Sequence, residues 1–181
     1  MSLDHALLVS LLEKPSSGYA LARRFDRSIG HFWQATHQQI YRVLARMEEA
    51  GWVKGHLKAG DAAPDRREFT VTALGRREMG RWLGEPTEPQ GYRDALMVKL
   101  RGAAFDEPAR LLGEVERHRE RHAERLAQYR AIEARDFSGP LDRQRTLQYQ
   151  VLKSGIRFEE TWIEWCAETL GLLRDLERRD R

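Results

Sequence analysis

A short run of hydrogen-bonding side chains carries the most specific chemistry in the sequence. The run is Thr36, His37, Gln38, Gln39, Tyr41 and Arg42. A glutamine can pair bidentately with adenine, and a histidine can donate or accept at base edges. If a helix begins here, its first turn can read bases in the major groove, and its free N–H groups favour phosphate oxygens. Tyr41 and Arg42, one turn further on, are better placed for phosphate than for bases.

Basic side chains gather again further along the chain. They are Lys54, His56, Lys58, Arg66 and Arg67. On a hairpin beside a recognition helix, such residues can reach the DNA backbone or the minor groove, and each phosphate contact steepens the salt dependence of binding by about one unit. A polar helix end and a basic hairpin can also be no more than solvated surface. The prediction of a DNA interface therefore depends on the two sets lying on neighbouring elements.

Aromatic side chains accompanied by arginine form a third set of candidates. They are Tyr19, Arg23, Trp33, Arg157, Phe158, Trp162 and Trp165. An arginine can hold a carboxylate through paired hydrogen bonds, and aromatic rings can line a pocket for a small molecule. A site for a small aromatic effector is therefore a hypothesis, although packing in the core or at an interface is favoured for each aromatic residue taken alone.

No catalytic or metal site is predicted. Glu114, His118 and His122 stand at i, i+4 and i+8, a spacing that can bind zinc, but the arginines around them favour a solvated helix face. Cys166 is the only cysteine and is expected to be a small buried residue. The sequence has neither a Gly-rich phosphate loop nor a nucleophile motif. We therefore predict no enzyme activity and no cofactor.

Composition limits the class of protein. The 181 residues are 41% hydrophobic and 33% charged, which suits one domain with an extension, or two small domains, built largely of amphipathic helices. Basic residues outnumber acidic ones 13 to 9 up to residue 84 and stand at 18 to 19 thereafter, so the first half is the one suited to nucleic acid. A single cysteine, no signal peptide and no membrane-length apolar run predict a soluble cytoplasmic protein with no membrane partner.

The spacing of apolar side chains predicts the elements that must position the first two sets. Helices are expected over residues 3–13 and 19–29, and a third begins at the Thr36 capping box. Strands follow over 52–57 and 68–71, and Thr72 can cap a helix over 73–83. Three helices, a hairpin and a further helix, in this order, predict a winged helix-turn-helix domain with a two-stranded wing over residues 1–84.

The rest of the chain is predicted to be helical. After a linker over residues 85–91, helices are expected over 92–103, 106–134 and 141–178. The last helix carries an apolar seam in steps of four and three, which is typical of a coiled coil. The seam residues assigned to a dimer interface are Leu147, Val151, Phe158, Trp165, Leu172 and Leu176. The fold class is therefore mostly α, an α+β winged helix followed by a helical domain over 92–181 for dimerisation and possible effector binding.

Several sequence blocks together resemble a known family. They are SGYAL at 17–21, GHFW at 30–33, QIYRVL at 39–44, EEAGWV at 48–53, PDRREFTVT at 64–72, LMVKL at 96–100 and GIRFEETWIEWC at 155–166. In combination they resemble the PadR family of bacterial transcriptional regulators. The resemblance implies a homodimer built on the C-terminal helices that binds an inverted-repeat operator, usually as a repressor. It also implies that a small molecule such as a phenolic acid, bound between the winged helix and the C-terminal helices, can release the DNA.

Two other functions stay open from the residues alone. A winged helix can be a protein-interaction module, and a MarR-type regulator is the nearest alternative among DNA binders. The MarR architecture normally has a dimerisation helix before the winged helix, whereas the first helix here is short and begins at residue 3. In the favoured mechanism the C-terminal helices hold two recognition helices about 34–36 Å apart, and an effector that prefers another spacing lowers the affinity for DNA.

Overall fold

The computed structural model describes residues 3–26, 30, 33, 35–57, 67–88, 91 and 93–179. They belong to two compact units, Met1–Gln90 and Gly91–Arg181. Within the described residues no helix has an apolar stretch long enough to cross a membrane.

The first unit is a winged helix-turn-helix, as the sequence predicts. Its helices are α1 (Leu3–Glu13), α2 (Gly18–Asp26), α3 (His37–Glu49) and α4 (Ala73–Leu83). The strands β2 (Val53–Leu57) and β3 (Arg67–Val71) form the wing between α3 and α4. The predicted residues Lys58 and Arg66, on the connection between these strands, lie outside the described residues.

The sheet also has a third strand beside the two-stranded wing, which the sequence analysis does not predict. Strand β1 (Ser16–Ser17) pairs antiparallel with β3, so that Ser16 stands opposite Phe69, and the strand order is β1-β3-β2. Two residues are too few to show the alternation by which a strand is recognised in a sequence. From the sequence, the Pro15–Gly18 segment is therefore expected only to end α1 and to cap α2 through Ser17, whereas it also attaches the start of α2 to β3.

The core of the first unit lies where α1, α2 and α3 meet the sheet. Leu7, Leu8, Leu21, Phe25 and Ile40 are fully buried there. Polar residues of α1 hold the neighbouring helices. The Asp4 carboxylate accepts three hydrogen bonds from the Arg46 guanidinium. His5 Nε2 lies 3.0 Å from Glu78 Oε1, and the His5 ring stacks on Trp82 at 4.6 Å. Each of these contacts joins α1 to an element more than 40 residues away along the chain.

In the described residues of the second unit there are three α-helices. They are α5 (Ala95–Gly102), α6 (Leu112–Asp136) and α7 (Arg143–Arg179). Helix α5 begins after the predicted start, because the Asp94 carboxylate caps it by accepting from Leu96 N–H at 2.7 Å. Helix α6 also begins late, since Pro108–Leu111 forms a 3-10 turn in front of it.

Helices α6 and α7 pack antiparallel, and α5 covers one end of the pair. Their core contains Leu96, Val115, Leu170, Leu173 and Cys166. Cys166 is fully buried, as predicted, and burial raises the pKa of its thiol. At the other end the Tyr129 ring lies against Gly155, where an added Cβ would approach it to 3.0 Å.

Candidate nucleic-acid interface

The start of α3 has the capping box that the sequence predicts. Thr36 Oγ1 accepts from Gln39 N–H at 3.2 Å, and Gln39 Oε1 accepts from Thr36 N–H at 2.8 Å. The apolar side chains Ile40, Val43 and Leu44 point into the core. The cap therefore fixes where α3 begins, and the apolar face fixes which side of its first turns faces outward.

All six candidate residues of α3 and its cap are exposed. They differ in how far their polar atoms are already engaged. Gln39 and Thr36 bond to each other, and His37 Nε2 contacts Asp26 Oδ2 on α2 at 2.8 Å. Within the described residues, Gln38 and Arg42 make no such contact. Gln38 is therefore the glutamine best able to offer its whole amide to a base.

The wing is attached to α3 by Glu48, a residue that the sequence analysis does not single out. Glu48 Oε1 accepts from Gly55 N–H on β2 at 3.0 Å and from Arg67 Nη2 on β3 at 2.7 Å. A Cβ on Gly55 would collide with the Arg67 side chain, so that side chain lies over the glycine. Arg67 thus links the wing to α3, whereas Lys54 and His56 are exposed on β2.

The effector candidates fall into three groups, two in the first unit and one on α7 of the second unit. In the first unit, Tyr19 and Arg23 contact each other on α2, whereas Trp33 lines a separate cleft beside α3. The other four stand on α7 of the second unit. There Phe158, Trp162 and Trp165 form an aromatic group, with 5.2 Å between the ring centroids of the two tryptophans.

A buried polar cluster adjoins this aromatic group and corrects the expectation of a solvated helix face around His118 and His122. The His122 ring stacks on Trp162 at 4.8 Å, and His122 Nδ1 bonds to the buried carboxylate of Glu159. Arg125 Nη1 also donates to Glu159, at 3.4 Å. Sequence spacing cannot show this cluster because the two sides stand on different helices. In the described part of the chain, no group of three or more His, Cys, Asp or Glu side chains is placed to hold a metal ion.

One face of α7 remains uncovered by the rest of its own unit. Four residues of the predicted seam, Leu147, Val151, Phe158 and Leu172, are about half exposed or more, and Trp165 and Leu176 are partly exposed. The side that packs on α5 and α6 carries Ile156, Glu159, Cys166 and Leu170 instead. The predicted seam is therefore a second apolar face of the helix.

Two family models together match most of the chain. Residues 7–81 match the transcriptional regulator PadR-like family, and residues 92–174 match the model described as virulence activator alpha C-term. The first match contains α3 and the wing, and the second contains α5 and α6 with most of α7.

Three relatives agree with these matches and are named as transcriptional regulators or as an activator, not as enzymes. A probable transcriptional regulator of Mycobacterium tuberculosis, Rv1176c, is 45% identical over 97% of this chain and 99% of its own. The Vibrio cholerae virulence activator AphA is 30% identical over 97% of this chain and 99% of its own, with a TM-score of 0.80.

The third relative is the negative transcriptional regulator PadR of Bacillus subtilis. It is 29% identical over 54% of each chain. Its structures with operator DNA and with p-coumaric acid have TM-scores of 0.81 and 0.80 to this chain, at 22% and 20% identity, and cover 94% and 95% of this chain and 98% and 95% of their own. The winged helix, the helical second unit and the full-length similarity to Rv1176c lead to one conclusion: this chain belongs to the PadR-like family of transcriptional regulators.

Proposed function

We propose that the chain is a homodimeric, sequence-specific DNA-binding repressor. The observation that carries the proposal is the exposed polar face at the start of α3, whose opposite face is buried in the core. A helix held in this way by a small domain can enter the major groove with its N-terminal side chains against the bases. Lys54 and His56 on the wing would then face the adjacent backbone.

The exposed seam of α7 supports the homodimer. Leu147, Val151, Phe158 and Leu172 place a row of apolar side chains in water, and burial stabilises by about 25 cal/mol for each Å² removed from water. A second copy of α7 has the same row to offer, and such a self-complementary contact produces a twofold dimer. Two recognition helices related by that axis would bind an inverted repeat.

Binding of DNA can be tested without knowing the operator. The full-length protein would be used to select duplexes from a random-sequence library, and the selected duplex would be compared with an unrelated one. We expect Gln38→Ala and Arg42→Gln to weaken binding to the selected duplex while the dimer persists in sedimentation. An Arg77→Gln control removes an exposed charge from α4 and should leave binding unchanged. Failure of the wild-type protein to enrich any sequence would favour a protein-interaction module instead.

The direction of regulation is a separate part of the proposal. The name of B. subtilis PadR supports repression, whereas AphA and the model matched by residues 92–174 are named as activators. Activation is therefore the second candidate. A reporter gene behind the selected site, expressed with and without the protein, distinguishes the two by the sign of the change. As a regulator of bacterial genes the protein would act in the cytoplasm.

We further propose that a small aromatic acid is the effector. The p-coumaric acid complex of B. subtilis PadR supports this class of ligand. In this chain Phe158, Trp162, Trp165 and the exposed Arg157 are the candidates on α7. Titration with p-coumaric acid should change the tryptophan fluorescence and weaken operator binding. If neither measurement responds, the protein lacks this effector class.

A further inference from the structure

We propose that Tyr19 and Arg23 on α2, together with Tyr41 on α3, form a binding site for a DNA backbone phosphate beside the recognition helix. The inference rests on the proposed DNA binding and adds a contact surface to it. It also gives Tyr19 and Arg23 a different role from the effector site suggested by their residue types.

The three side chains lie on neighbouring helices and reach the surface. Tyr19 is 56% exposed and Tyr41 is 46% exposed, although both are large aromatic residues. Both line one cleft of about 220 Å³ between α2, α3 and β3. Arg23 is exposed, its Nη1 donates to Tyr19 Oη at 3.5 Å, and its guanidinium carbon lies 5.7 Å from the centre of the Tyr19 ring.

Gly18 brings the ring of Tyr41 against the start of α2. A Cβ at Gly18 would stand 2.7 Å from Tyr41 Cε1, which is closer than a side chain can approach. The ring of Tyr41 therefore rests on the backbone of α2 rather than turning freely on α3. The phenol groups of Tyr41 and Tyr19 thus belong to the same side of the helix-turn-helix.

The charge next to this cleft favours an anion. Among the described residues that line it, the acid is Glu48, which is already paired with Arg67 and accepts from Gly55 N–H. Arg23 has no carboxylate partner among the described residues. The Arg23 guanidinium contacts the Tyr19 hydroxyl, and Tyr19 shares its cleft with Tyr41. Together they offer charge and hydrogen-bond donors, which is the chemistry that binds a phosphate oxygen. In helix-turn-helix proteins the helix before the recognition helix crosses the backbone of the duplex, and α2 is that helix here.

The test compares two changes that remove different parts of the site. Tyr19→Phe removes one hydroxyl and keeps the ring, whereas Arg23→Gln removes the charge from an exposed position. Affinities of the full-length protein would be measured over a range of salt concentrations, with the duplex selected by the wild-type protein and with an unrelated duplex of equal length. Arg77→Gln on α4 controls for the loss of one positive charge.

We expect Arg23→Gln to weaken binding to both duplexes and to flatten the plot of log affinity against log salt by about 0.9 for each protomer bound. Tyr19→Phe should weaken both by roughly three- to tenfold without changing the slope. Gln38→Ala, in contrast, should weaken only the selected duplex, because it removes a base contact.

Wild-type affinity and slope in Arg23→Gln, beside a weakened Gln38→Ala, would overturn the phosphate site and leave DNA binding intact. An Arg23→Gln protein that loses p-coumaric acid binding but keeps the wild-type salt slope would overturn it in favour of an effector site. If the wild-type protein binds neither duplex, the proposed function fails and the phosphate site fails with it.

Discussion

Gln38 and Gln39 are adjacent and chemically identical, yet they have different roles in α3. The side-chain oxygen of Gln39 accepts from Thr36 N–H and completes the capping box, so Gln39 helps to determine where the helix starts. Gln38 lies on the exposed side of the same turn. The residue type alone does not show which glutamine contacts a base and which one caps the helix. The spacing does, because Gln39 stands three residues after Thr36.

Replacing each glutamine by alanine should therefore give opposite results. Gln38→Ala should leave stability unchanged and reduce discrimination at one base pair by about 1–3 kcal/mol. Gln39→Ala should lower the free energy of unfolding by about 1 kcal/mol because half of the capping box is lost. Urea titrations measure the second effect, and affinities for single-base variants of the selected duplex measure the first. Equal behaviour of the two variants in both assays would contradict this division.

Local motifs of single residues could be predicted, whereas partners distant along the chain could not. The Thr36 capping box, the Thr72 cap and the burial of Cys166 follow from short spacings and residue types, and the structure contains all three. Glu48 and Glu159 have no such signature. Their partners lie on other strands or helices, as the distance of 37 residues between His122 and Glu159 shows.

At the scale of elements, Glu48 makes the wing a fixed extension of the recognition helix. One carboxylate oxygen holds β2 through Gly55 N–H and β3 through Arg67. The two strands also pair with each other from Val53 opposite Val71 to Leu57 opposite Arg67. The hairpin itself therefore survives loss of Glu48, and what changes is its attachment to α3.

Glu48→Gln should accordingly weaken DNA binding through the wing, although Glu48 is not expected to touch DNA. The variant replaces a charged acceptor that joins two strands, so we expect a loss of roughly 1–2 kcal/mol in unfolding free energy and a measurable loss of operator affinity. Glu49→Gln is the matched control, since the neighbouring carboxylate is exposed and makes no ion pair within the described residues. The expectation fails if the two variants bind the operator equally well.

The contacts of Glu78 on α4 predict a dependence of stability on acid. Arg81 and His5 hydrogen-bond to Glu78 and lower the pKa of its carboxyl from 4.5 to about 2. Because the folded state binds this proton less readily than the unfolded chain, the contribution of Glu78 to stability is present above about pH 4.5 and is lost as the pH falls toward 2.

Thermal melting at pH 5 and pH 3 tests this contribution. The drop in Tm between the two values should be smaller in Glu78→Gln than in the wild-type protein, because the variant has no proton to gain at this position. Glu88→Gln, which changes an exposed carboxylate without an ion pair among the described residues, should keep the wild-type drop. If Glu78→Gln showed the same drop in Tm as the wild-type protein, the contacts of Glu78 with Arg81 and His5 would not stabilise the fold.

The order of helices and strands could be predicted from the sequence, but which face of a long helix meets its own chain could not. The apolar seam of α7 predicts a helix with a facing partner, and the sequence analysis assigns that seam to contact with a second copy of the chain. In the structure α6 packs on a different side of α7, where Cys166 and Leu170 are buried together with the acidic Glu159. A buried carboxyl group requires hydrogen-bond partners, and His122 and Arg125 supply them from α6.

Across the whole molecule, the exposed seam should determine whether two copies associate. Leu147 and Leu172 are 62% and 55% exposed, and they stand near opposite ends of that seam. A glutamate at either position would place a charge in the apolar interface of the dimer, while the single chain would keep its own core. We therefore expect Leu147→Glu and Leu172→Glu each to weaken dimerisation by at least about 30-fold, a cost of roughly 2 kcal/mol.

Sedimentation equilibrium measures the dimer, and far-UV circular dichroism checks that the helices remain. Val98→Glu is the matched control, since Val98 on α5 is also an exposed apolar residue but lies off the seam. The seam variants should become monomers that bind a single half-site of the selected duplex with low affinity, because one recognition helix then acts without the other. If both variants remain dimers and bind the inverted repeat as the wild type does, the two copies must join through another surface.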